Sequence, residues 1–273
     1  MISEHIALGP SAGAAGIMPN PREYALPGNQ DPATPWPSSV VLLSAIAAVT
    51  ERIRLVAGAV IAPLRHPLLI ARELGSLDLL SGGRLVVLPT VSWLEEEYAA
   101  LGVPFRCRGD LLDEHLRAWA VLWRDTPVSY AGTHYSFRDV YFEPKAFRAE
   151  GPALWLGGAG MHRRMLERIV RYGDGFNPLG RPSAGQMRRL REALLAAGRD
   201  PRGLELVGGT RAVFPDSGGV ADLGQALATI PPQAGEGFTT FCIKPSQFTD
   251  DPSGVGRLCR DIIRRVDGML PGG

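Results

Sequence analysis

Four segments of the 273-residue chain combine side chains that can do chemistry with a local setting that would present them. Ser3-Glu4-His5 sets an acid beside an imidazole, a pair able to hold and pass a proton near neutral pH. Gly58-Ala59-Val60-Ile61 is small and then β-branched, which suits close approach of a flat ligand to a strand backbone and equally suits a packed core strand. In Leu88-Pro89-Thr90-Val91-Ser92-Trp93, Thr90 can hydrogen-bond a ligand carbonyl or phosphate, whereas Ser92 is better suited to capping a helix that begins near Leu94. Trp155-Leu156-Gly157-Gly158-Ala159-Gly160 runs straight into a helical pattern from Met161. Glycines there let backbone N–H groups at a helix N-terminus face an anion, so the run is a phosphate seat or a tight turn. It is not G-x-G-x-x-G and has no Walker lysine.

The elements that must position these segments alternate. After an excursion over residues 9–37, rich in Gly, Pro and Ala, Ser38 or Ser39 can cap a helix ending near Arg52. A β-branched strand over 53–61 leads to a helix opened by Pro67 and closed by Gly82 and Gly83, then to an apolar strand over 85–88. Helices over 94–101 and 111–123 precede a β-excursion over 128–147. Strands over 153–156, 175–177, 205–213 and 239–243 then alternate with helices over 161–172, 183–197, 220–230 and 255–266. With a further strand over residues 2–8, the count reaches seven βα units. This favours a single-domain α/β fold of the TIM-type (β/α)8 barrel kind, one unit short, and places the candidate segments at the C-terminal ends of strands.

Composition narrows the function. A formal net charge of +1 carries no bias toward nucleic acid or membrane surfaces, and 45% apolar residues suffice for a large core. No apolar run reaches the length of a spanning helix and no leader pattern opens the chain, so a cytoplasmic protein is expected. Cys107, Cys242 and Cys259 are far apart and lack metal-ligand spacing, which predicts reduced structural thiols and no metal. His66, His115, His134 and His162 are scattered, and His115 lies within an amphipathic helical pattern.

An ordered set of strings adds to this reading. Ser3-Glu4-His5, TERIRL from Thr50, PLRHP from Pro63, LDLLSGGRL from Leu77, W-x-x-E-E-Y from Trp93, RGDLLDEHL from Arg108, LWLGG from Leu154 and YGDGFNP from Tyr172 together resemble the luciferase-like monooxygenase superfamily. The resemblance covers most of the chain through Pro178. It implies a TIM-type barrel that binds the deazaflavin coenzyme F-420, or alternatively FMN, in its mouth and passes a hydride between that ring and an organic substrate. An FMN enzyme would activate O2 and draw on a flavin reductase as partner. A non-catalytic flavin-binding barrel is the third reading, and a homodimer is among the expected assemblies.

By the same carry-over, His5 and Glu4 would be the catalytic pair beside the ring, and Thr90 and Trp93 would lie next to it. Gly157, Gly158, Ala159 and Gly160 would seat the phosphate, and a cis peptide behind the ring would fall at Ala59–Val60. Two departures stand out. Leu88, Thr90 and Ser92 replace a glycine-rich strand end, and Trp93 replaces the acid of deazaflavin enzymes acting on sugar phosphates. The resemblance also implies a βα unit ahead of Ser3. A chain without it is expected to be less stable and more prone to associate than one extended upstream.

Overall fold

Local signals set the elements that frame the barrel in the computed structural model, which describes residues 1–24 and 26–270. Ser38 caps α1 (Ser39–Ala48) by accepting from the Val41 N–H. The chain then forms β1 (Leu55–Ile61) and α2 (Pro67–Ser81), which opens on Pro67 and closes at Gly82 with φ +64°. That left-handed turn is open to glycine at no steric cost. There follow β2 (Leu85–Thr90), α3 (Glu95–Ala100), α4 (Arg108–Leu122) and the antiparallel hairpin of β3 (Val128–Ala131) and β4 (Ser136–Val140), where an inserted β-excursion was expected.

Alternation resumes with β5 (Ala153–Leu156), α5 (Arg163–Tyr172), β6 (Gly175–Phe176), α6 (Ala184–Ala196) and β7 (Glu205–Gly209). In place of one helix over 220–230 there are two short ones, α7 (Leu223–Leu227) and α8 (Ile230–Gly235). Pro231 and Pro232 explain the break: without N–H groups they fit a first turn and not a helix interior. β8 (Thr240–Cys242) and α9 (Val255–Met269) follow.

The six long-crossover strands form one parallel sheet in the order β1-β2-β5-β6-β7-β8, the arrangement of a partial TIM-type barrel. Among the described residues β8 has no second strand partner. The strand expected over residues 2–8 shrinks to one parallel bridge, Ile2 to Ala57, made by Ile2 N–H to Val56 O and Gly58 N–H to Ile2 O, each 2.8 Å. Beyond Ile2, Glu4 and the Ile6 and Ala7 amides are drawn to partners on and around the helices, so the ladder with β1 stops there.

Strand alternation divides each strand between the helices outside and the barrel interior. Ala57, Val60 and Val87 pack outward with α2 and α4, where Trp119 and the following Trp123 are almost fully buried, while Leu156 and Phe176 pack with α5 and α6. Inside, three layers follow. The lowest joins Arg54 to Glu205 through two 2.8 Å hydrogen bonds, with Thr240 and the Trp155 indole N–H (3.0 Å) also donating to Glu205. These four donor hydrogen bonds hold the Glu205 carboxyl down at about 2, the Arg54 bond contributing most. The ion pair braces β1 against β7 across the barrel. The middle layer is Val56, Val86, Leu88, Trp155, Val207 and Cys242. Continuing the alternation, Gly58, Gly157 and Gly209 occupy the top, where the Met1 side chain covers Gly58 and the Asn177 and Cys242 carbonyls close on Gly157 and Gly209.

Candidate active site

His5 reaches the mouth from the segment that follows the Ile2 bridge. Its Nδ1 donates to Glu97 Oε2 at 3.2 Å, and its ring packs edge-on against Trp36 and Trp93 with centroids 5.1 and 6.2 Å away. Because a carboxylate only accepts, the neutral ring carries its proton on Nδ1, which leaves Nε2 as the nitrogen free to accept or deliver a proton. Glu97 is wholly enclosed and also accepts from the Ile6 N–H at 2.5 Å and Ser92 Oγ at 3.1 Å. Burial pushes its carboxyl up, but His5, the Ile6 amide and Ser92 outweigh that and hold it below the usual carboxylate range. An ionised Glu97 therefore orients His5.

Glu4, its neighbour, has no capacity to spare. Arg65 donates to both oxygens (2.8 and 3.0 Å), the Ile61 N–H to Oε1 (2.9 Å) and Ser39 Oγ to Oε2 (2.9 Å). This buried, fork-shaped pair ties the start of α1, the end of β1 and the His5 segment to one point.

Other expected residues divide. Trp93 flanks His5, and Thr90 ends β2 on the same side of the mouth. Ser92 is not the expected helix cap: its Oγ accepts from the Leu94 N–H (3.3 Å) just before α3, whose N-cap is Leu94, and its hydroxyl hydrogen goes to Glu97. The cis peptide is Gly58–Ala59, one residue before the expected Ala59–Val60. The β1–β2 register jumps from Gly58 to Val60 and skips Ala59, so the irregular step of the strand sits at the glycine. Val60 is fully buried and packs outward, leaving only its backbone to the mouth.

At the end of β5, the second strand along from β1, Gly158, Ala159 and Gly160 line a small cleft with Pro178, Arg181 and Gln186. The helix behind it starts two residues later than expected, at Arg163, because the His162 ring caps it by accepting from the Met165 N–H at 3.2 Å. Gly157 has a separate role. A Cβ there would lie 1.6 Å from the Asn177 carbonyl oxygen, so the β5 and β6 ends can meet only at a glycine.

The excursion over residues 9–37 is a strap across the mouth. At one end Glu96 accepts from Ser11 N and Oγ (3.1 and 2.8 Å), beside the Glu97 bonds to Ile6 and Ala7. At the other, Asn20 Nδ2 donates to the carbonyls of Asp216 and Gly219, and Arg22 pairs with Asp250, beyond β7 and β8. Trp36 Nε1 on the strap and Thr210 Oγ1 at the end of β7 are buried polar atoms without a hydrogen-bond partner among the described residues.

Sequence reasoning missed Glu97 and Arg65. Glu95, Glu96 and Glu97 stand together at a helix start, where acids are favoured by the helix dipole alone, so nothing local marked the third as the partner of His5. Arg65 was visible only inside the PLRHP string. A concavity of about 420 Å³ lies between α4 and α5 at the N-terminal ends of β5 and β6, and none of the candidate residues lines it. Among the described residues no group of His, Cys, Asp or Glu is arranged to hold a metal, and no helix is long and apolar enough to cross a membrane.

A profile described as luciferase-like monooxygenase matches residues 23–221. An uncharacterised protein of Mycobacterium tuberculosis is 35% identical over 169 residues, 61% of this chain and 57% of that protein. The FMNH2-dependent dimethylsulfone monooxygenase of Pseudomonas putida is 29% identical over 135 residues, 48% of this chain and 37% of that enzyme. The chain thus spans little more than half the length of the first relative and less of the second. Among solved structures, a monooxygenase of Streptomyces bottropensis aligns at TM-score 0.58 with 25% identity, covering 85% of this chain and 65% of that one. A coenzyme F420-dependent tetrahydromethanopterin reductase of Methanopyrus kandleri aligns at 0.56 with 17% identity over 86% of this chain and 72% of that one, a likeness of fold alone.

Proposed function

Since the chain belongs to the luciferase-like monooxygenase family, we propose that it is an oxidoreductase that holds a deazaflavin of the F-420 type across the barrel mouth and passes a hydride between it and an organic substrate. The observation that carries this is a mouth bordered by Trp36 and Trp93 in which the buried Glu97 fixes the His5 ring, with the Gly158–Gly160 cleft at the end of β5. A planar ring fits such an aromatic-edged mouth. The unpartnered Trp36 N–H and Thr210 hydroxyl offer it polar contacts.

Gly158, Ala159 and Gly160 would take the phosphate end through their backbone, while Thr90, Trp93 and Ala59 would border the ring. When bound, a deazaflavin supplies a carbon that accepts or donates a hydride, and reduced FMN would supply electrons to O2. His5 then holds or moves the proton that accompanies substrate oxidation or reduction at Nε2. Glu97 fixes its tautomer, Glu4 positions the segment through Arg65, and the strap keeps water from the mouth. A reduced-FMN monooxygenase is the second reading, favoured by the 29% identity to the Pseudomonas enzyme. Anaerobic assays with F-420 and aerobic assays with reduced FMN, each over a panel of alcohols, aldehydes and enones, separate the two. Bleaching of oxidised deazaflavin by an alcohol, or return of its colour from the reduced form with an enone, supports the first, and an oxygenated product formed only with reduced FMN and O2 supports the second.

A further inference from the structure

The chain has only two lysines, and they are placed in opposite ways. Lys145 is spent on the C-terminal end of α4, donating to the carbonyls of Leu122 and Asp125. Lys244 follows β8. There Phe241 and Ile243 pack outward with α7, α8 and α9, while Cys242 packs into the barrel with Val207 and Trp155. Alternation therefore sets Lys244 on the interior side, one step above Cys242, at the level of the mouth.

The half-buried ammonium of Lys244 has a single acceptor, the Arg22 carbonyl at 3.1 Å, and lies over the Tyr24 ring, 5.1 Å from its centroid. Among the described residues no carboxylate comes within 4.0 Å of it. Asp250, in the segment after β8, is engaged by the strap residue Arg22 through two hydrogen bonds of 2.8 and 2.5 Å. Burial presses the Lys244 ammonium below its usual range, and burial likewise raises the Cys242 thiol and the Tyr24 phenol, so neither neighbour supplies an anion.

Uncharged hydrogen-bonding groups lie close by at the end of β7 and after β8, and the Met1 ammonium bears on neighbouring Cys242. Thr210, whose N–H donates to Cys242 O at 3.1 Å, has a buried hydroxyl without a partner. Gln247, 2% exposed, holds the same Arg22 carbonyl by a long 3.4 Å bond through Nε2 and leaves Oε1 unpartnered. A cation drawn from water without a counter-charge is costly, and the cost is recovered only when an anion arrives with a ligand. A planar carboxylate can accept from the Lys244 ammonium with one oxygen and from a hydroxyl with the other.

We propose that Lys244, with the Thr210 hydroxyl beside it, is the anchor for the carboxylate of an organic acid substrate. It is seated at the β8 side of the mouth, across from His5 and under the strap residues Arg22 and Tyr24. This assignment rests on the reading of the mouth as the reaction site. Its consequence is specificity: the acid end is held at β8 and the carbon chain runs toward the ring and His5.

Protein labelled with [ε-13C]lysine gives one resonance for each of the two lysines. It is titrated with hexanoate and benzoate, with hexanamide and benzamide as neutral isosteres, and with inorganic phosphate. A saturable shift of the Lys244 signal with the carboxylates alone, and a still Lys145 signal, is expected. Lys244→Gln, checked for an unchanged melting temperature, should bind benzoate at least about tenfold more weakly, and Lys244→Arg should keep most of the affinity. Equal shifts with the amides, tighter binding of phosphate, absence of any carboxylate shift, or unchanged benzoate affinity in Lys244→Gln would overturn the assignment. The readout needs no cofactor, so a failed cofactor titration and a failed carboxylate titration are told apart.

Discussion

Replacing Glu205 by glutamine tests the barrel's lower brace. Its carboxyl stands at about 2 against an ordinary 4.5, a depression of about 2.5 units, which at about 1.4 kcal/mol per unit is roughly 3 kcal/mol. The side chain keeps 22% of its exposure and Arg54 48%, so solvent screening reduces this to about 1–2 kcal/mol. For a folded-state value lowered below the unfolded one, the contribution is complete above pH 4.5 and is lost as pH falls from there toward 2. Thermal melts of parent and Glu205→Gln followed by circular dichroism should differ by roughly 2–4 °C at pH 7, and the gap should narrow steadily below pH 4.5. Taking the difference removes the titration of every other group. A gap absent at pH 7, or one constant from pH 7 to pH 3, would refute the brace.

Other substitutions separate support from chemistry. Glu4→Gln should lower stability by about 3 kcal/mol, read from urea unfolding, since it leaves Arg65 facing a neutral group in a buried pair. Gly157→Ala should cost about 3 kcal/mol or more, or abolish soluble protein, because the clash is with backbone. Gly158→Val, whose nearest neighbour is only the end of Met165, should fold normally and weaken cofactor binding by about 1 kcal/mol or more in a fluorescence titration. On an identified substrate, His5→Ala should lower turnover roughly 100-fold with cofactor affinity retained.

How much of this was legible in the sequence depended on whether the cause was local. The α2 boundaries follow from Pro67 and Gly82, and the α1 cap from Ser38, since each acts within a turn of itself. The bend of residues 2–8 away from β1 was not legible, because Glu4 answers to Arg65, 61 positions on, and the Ile6 amide to Glu97, 91 positions on. For the site, the His5 and glycine-run segments were visible by type. Their orientation was not, since it comes from Glu97 inside an acidic helix start and from the strap's ties to residues 216–250. The split of α7 from α8 could have been taken from Pro231-Pro232, a local signal that the apolar spacing around it masked.

The central claim, that the mouth between His5 and the β5 glycine loop holds a flavin-type ring, is tested most directly by tryptophan fluorescence. Trp36 and Trp93 border the mouth, so oxidised F-420 and FMN titrated separately into the purified protein should quench them on binding. Saturable quenching by F-420, tighter than by FMN and weakened in Gly158→Val, is the predicted result. Absence of saturable quenching by either cofactor in folded protein, or equal affinity in Gly158→Val, would contradict it.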